Sequence, residues 1–81
     1  MDKITVKRIK DIIVISYGTE ADIDCTLKYK LKDGNYVYII LKGSYKLESY
    51  INEINYLLRD AIDNGDTIDK IYIDLKNFFE K

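Results

Sequence analysis

Hydrophobic and polar positions change period along this chain of 81 residues. From Ile4 to Tyr17 β-branched residues dominate and include the run Ile12-Ile13-Val14-Ile15. That segment predicts two short strands meeting near Lys10-Asp11, or one long bent strand, ended by Gly18, with Thr19, Glu20 and Ala21 as a connection. From Asp22 to Leu31 the period is two: Ile23, Cys25, Leu27, Tyr29 and Leu31 share one face, and Asp22, Asp24, Thr26, Lys28 and Lys30 share the other. Lys32-Asp33-Gly34-Asn35 predicts a hairpin turn, because Gly34 can take the positive φ that such a turn requires. Tyr36 to Lys42 returns as the partner strand, setting Val37, Ile39 and Leu41 against Tyr36, Tyr38, Ile40 and Lys42.

Beyond Gly43-Ser44 the apolar spacing becomes helical. Leu47, Tyr50, Ile51, Ile54, Leu58, Ala61 and Ile62 fall on one stripe of a helix of about five turns, with Ser44 as its cap and Asn64-Gly65 as its terminator. The last segment admits two patterns. As a helix begun at Asp66 or Thr67 it gathers Ile68, Ile71, Tyr72, Leu75, Phe78 and Phe79 on one face and exposes only Ile73; as a strand, Lys70 to Leu75 alternates Ile71, Ile73 and Leu75. The helix accounts for more of the apolar residues and is preferred. The expected fold class is therefore α+β: a small antiparallel β-meander of three to four strands packed against one long amphipathic helix, plus a C-terminal second helix, with a C-terminal strand added to the sheet as the alternative. No linker or repeat divides the chain, so residues 1–81 are expected to form a single small domain.

Composition removes several function classes. Hydrophobic residues make up 47% of the chain and charged ones 33%, which fits a folded domain rather than a disordered tail. No apolar run approaches the roughly 18 residues of a membrane span, and Met-Asp-Lys-Ile lacks the layout of a signal peptide, so a cytoplasmic protein is expected, in the host cytoplasm if the source is a virus. A single cysteine allows no internal disulfide, and the absence of histidine removes both the usual zinc site and the usual general base. Cys25 lies on an apolar strand face, where a buried, inert thiol is expected. Gly43 alone before a helix is too little for a phosphate cradle. Asp74-Leu75-Lys76 holds half of the acid-x-Lys pattern of some metal-dependent nucleases, and around Asn64-Gly65 the residues Ile62 and Ile71 stand where an EF-hand would need ligands. Neither an enzyme nor a metal or other cofactor is expected. Ile, Lys, Asp, Tyr and Asn supply 48 of the 81 residues; four of these five types have AT-rich codons, which points to an AT-rich genome such as that of a virus or mobile element.

Two surfaces remain as candidates. Asp60 and Asp63 fall in the last turn of the long helix, where the macrodipole disfavours negative charge by roughly 0.3 to 1 kcal/mol each, and Asp66 and Asp69 follow at the start of the next element. These four form an acidic knob that helix capping only half explains. On the outer face of the hairpin, Lys28 and Lys30 face Tyr36, Tyr38 and Lys42, a layout of rings and cations found on single-strand nucleic-acid platforms and also suited to a protein interface. The net charge of -1 argues against a duplex DNA binder. The leading expectation is a non-enzymatic protein-binding module, for instance a viral or mobile-element inhibitor of a host factor, whose acidic knob meets a basic groove on its partner. The alternative is a single-stranded nucleic-acid-binding protein using the Tyr/Lys face. A third reading is a homodimer formed by edge pairing of the Ile4–Tyr17 segment.

Overall fold

Strands that are apolar on both faces belong in the interior of a sheet, and two segments here qualify: Ile12–Ile15 and Val37–Leu41. The computed structural model describes residues 3–18 and 23–80, with the side chains of Ile23, Asp24 and Ser44 outside the description. Strands β1 (Ile4–Ile9), β2 (Ile12–Tyr17), β3 (Ile23–Lys30) and β4 (Tyr36–Lys42) form one sheet in the order β1-β2-β4-β3. The two doubly apolar strands are its centre, and the lysine-bearing β1 and β3 are its edges. Of the two readings of Ile4–Tyr17, the pair of short strands turning at Lys10-Asp11 is the observed one, with Lys10 at φ 55.

The sheet is mixed, which corrects the expected antiparallel meander. β1 with β2 and β3 with β4 are antiparallel, but β2 and β4 run parallel, with Ile13 opposite Ile39 and Ile15 opposite Leu41. The β3–β4 hairpin inserts its more apolar strand next to β2 and leaves β3, which carries Lys28 and Lys30, outside. The expected connection at Thr19, Glu20 and Ala21, and the expected strand start at Asp22, lie outside the described residues.

Helices cover one face of this sheet. α1 (Ser44–Leu47), a 3-10 turn (Glu48–Tyr50), α2 (Ile51–Asp63) and α3 (Ile68–Phe79) place Leu47, Ile54, Leu58, Ala61, Ile71 and Leu75 against Val6, Ile13, Ile15, Val37, Ile39 and Leu41. The single long helix is thus corrected to two helices joined by a tighter turn. No proline or glycine forces this break. The turn carries Tyr50 onto the edges of Phe78 and Phe79, at 6.3 and 5.3 Å between ring centroids, while Leu47 stays fully buried beneath the sheet.

The ends of the helices follow their sequence signals. Gly65 at φ 75 lets its N–H donate to the Ile62 carbonyl and that of Asp66 to Ala61, closing α2 as a Schellman motif. Thr67, not Asp66, caps α3: its hydroxyl accepts from the Lys70 N–H at 3.3 Å. The last segment is a helix, with Ile73 its exposed apolar residue at 50%. Among the described residues no helix is long and apolar enough to cross a membrane.

Candidate binding surface

Side-chain alternation along the four strands gives the sheet a second face, and among the described residues no helix lies on it. Its middle is aliphatic: Ile12 and Val14 from β2 adjoin Tyr38 and Ile40 from β4, with Ile9 at the end of β1 and 66% exposed. Tyr36 extends this strip at the start of β4. Lysines stand around it, with Lys7 on β1 opposite Val14, Lys28 and Lys30 on β3 opposite Tyr38 and Tyr36, and Lys42 at the far end of β4. Thr5 and Ser16 share a hydroxyl hydrogen bond of 2.9 Å between them. Among the described side chains this face carries four lysines and no acid.

The hairpin turn holds the aromatic end in place. Leu31 N–H donates to the Asn35 carbonyl at 2.7 Å, Gly34 N–H to the Leu31 carbonyl at 3.0 Å, and the Asp33 carboxylate accepts from the Asn35 N–H at 2.8 Å. Cross-strand register then sets Lys28 Nζ 4.3 Å from the Tyr36 ring centroid and 5.9 Å from that of Tyr38, with Lys30 Nζ 6.0 Å from Tyr36. Four of the five expected face residues are therefore brought together. Lys42 lies four residues from Tyr38 along the strand, roughly 13 Å away. Sequence reasoning missed Ile9, Ile12, Val14, Ile40 and Lys7 as members of the surface. The signal was present in the unbroken run Ile12-Ile13-Val14-Ile15, which makes both faces of a strand apolar and so calls for cover on both.

The acidic knob is a different object. Asp60, Asp63 and Asp69 are exposed and Asp66 is half-buried, but cations reach in among them. Arg8 on β1 pairs with Asp69 and also donates to the Lys10 carbonyl, while Lys32 Nζ donates to the Asp63 carbonyl at 2.8 Å, capping the C-terminus of α2. Lys70, held above its ordinary pKa chiefly by its hydrogen bond to Asp74, also lies within the field of Asp66. An open cleft of about 590 Å³ beside the knob is lined by Arg8, Lys10 and Lys32 together with Asp11, Asp33 and Asp66, so its walls alternate in sign. Cys25 is half-buried rather than buried, because it sits on edge strand β3 where the helical cover thins. Among the described residues no set of three or more Cys, Asp or Glu side chains converges as a metal site. Compared with known proteins, the chain matches no family model, no curated protein and no solved structure.

Proposed function

We propose that this chain is a non-enzymatic protein-binding module whose working surface is the open face of its sheet. The observation that carries this reading is the aliphatic strip of Ile9, Ile12, Val14 and Ile40, rimmed by Lys7, Lys28, Lys30 and Lys42 with no described acid. An apolar centre inside a charged rim is the anatomy of a protein interface. The partner that fits has an apolar patch of its own inside an acidic rim, since opposite charge at the rim steers encounter and sets register. The same strip weighs against a nucleic-acid platform, where rings rather than branched aliphatics receive the bases, and Lys28 already covers the Tyr36 ring. Weighing against the acidic knob as the contact surface are the basic side chains of Arg8 and Lys32 among its acids.

Baits made from the native chain, from Val14→Lys/Ile40→Lys and from Asp60→Asn/Asp63→Asn separate these readings. We expect a partner of defined mass, carrying an acidic interface, to bind the native and Asn baits and to lose at least about tenfold in affinity, ~1.4 kcal/mol, toward the Lys bait. Loss confined to the Asn bait returns the contact to the knob. Salt-sensitive binding of mixed single-stranded oligonucleotides that Tyr36→Ala/Tyr38→Ala abolishes would assign the face to nucleic acid instead.

A further inference from the structure

The two edges of the sheet are not alike. On β4 the Tyr38 N–H donates to the Asp11 carbonyl at 2.9 Å, so the backbone groups of Tyr38 point toward β2. Backbone direction alternates along a strand, so those of Val37, Ile39 and Leu41 point toward β3, where Tyr29, Leu27 and Cys25 stand opposite. The N–H and C=O groups of Thr26, Lys28 and Lys30 consequently face away from the sheet. At the other edge the outward N–H of Val6 is occupied: it donates to Glu80 Oε2 at 2.5 Å, and Lys76 Nζ holds Glu80 Oε1 at 3.1 Å. Among the described residues no side chain guards β3 in this way.

The inner layer is also unfinished on the β3 side. Cys25, Leu27 and Tyr29 are half-buried, whereas Leu41, Ile39 and Val37 beside them are fully buried. A strand added beyond β3 would extend the core with its inward side chains and set its outward ones beside Lys28 and Lys30, about 4.8 Å away in the ladder direction.

We infer that β3 is a strand-addition edge and that its occupant is an extended segment of the protein partner, alternating acidic and apolar residues. This rests on the protein-binding reading above and deepens it. Backbone hydrogen bonds to Thr26, Lys28 and Lys30 supply affinity, and the two lysines select a segment with acids on the outward face. A second copy of this chain is a poor occupant: pairing β3 with itself sets lysines against lysines, and β1 is guarded by Glu80.

The test uses the full chain, isotopically labelled, and a synthetic peptide of about eight residues alternating Glu with Val, beside a second peptide with Lys in place of each Glu. We expect the Glu peptide to slow amide exchange of Thr26, Lys28 and Lys30 by at least about tenfold, leaving the Val37 and Ile39 amides unchanged, and the Lys peptide to do nothing. A chain assembled with an N-methylated Lys28 amide keeps the β4 ladder and should lose the peptide. Binding that shifts Val14 and Ile40 without protecting Thr26, Lys28 and Lys30 overturns the edge site while leaving the open-face reading intact. Failure of the Glu peptide to bind, or equal binding of the Lys peptide, also overturns it.

Discussion

Tyr29 ties edge strand β3 to the helical layer, because its hydroxyl donates to Asn55 Oδ1 on α2. Burial pushes its phenol above the ordinary value, Arg59 pulls the other way and Cys25 adds to the rise. A raised folded-state pKa means stability that is intact below the unfolded value near 10 and is lost as pH climbs through the folded value. We expect urea midpoints to fall above about pH 10, and Tyr29→Phe to reduce that fall while lowering stability by ~0.5–1.5 kcal/mol. Glu80 works at the opposite end of the pH scale. The Val6 N–H, and after it Lys76, hold its carboxyl below the ordinary range. A depressed folded value stabilises above the unfolded value, roughly 4, and the gain is lost as pH falls through the folded one. Removing the acceptor altogether, Glu80→Ala should free the β1 edge and show self-association by sedimentation at neutral pH, while the native chain should lose urea-midpoint stability only as pH falls below the ordinary carboxylate range. Glu80→Gln keeps an acceptor for Val6 and should sediment as the native chain does.

Between elements, the junction of β4 with α1 brings two backbone segments close together at Gly43. Gly43 has φ 68, and a Cβ there would lie 2.7 Å from the Tyr17 carbonyl oxygen, whereas one at Gly34, φ 93, meets nothing within 4 Å. Gly43→Ala thus adds a clash to the left-handed strain that both positions share. We expect it to cost about 1–3 kcal/mol and Gly34→Ala no more than about 1–2 kcal/mol, read from denaturant unfolding. Much at this scale was legible in the sequence: the alternation through β3 and β4, the Asp33-Gly34 turn and the apolar face of α3 each follow from local chemistry. Strand order was not, because alternation tells which face a residue takes and not which neighbour its strand chooses. The clue to it lay in side chains apolar on both faces of β2 and β4, a signature of central strands. The break at Glu48–Tyr50 had no local signal, since it serves a distant aromatic contact with Phe78 and Phe79.

Across the whole molecule charge separates by layer. Among the described side chains the open sheet face holds four lysines, whereas residues 44–80, which form the helical layer, hold eight acids against four bases. A net charge of -1 conceals this division. Part of the open face, Lys28, Lys30, Tyr36, Tyr38 and Lys42, was visible in the sequence as a Tyr/Lys hairpin; its aliphatic part was signalled by the run Ile12-Ile13-Val14-Ile15 but took its place only once β2 lay beside β4. The most direct measurement is site-specific photo-cross-linking from Val14 on the open face and from Tyr56 on the exposed side of α2, with the partner mixture otherwise identical. We expect one covalent adduct of defined mass from Val14 and none from Tyr56. An adduct from Tyr56 with none from Val14 would contradict the assignment of the open sheet as the binding surface.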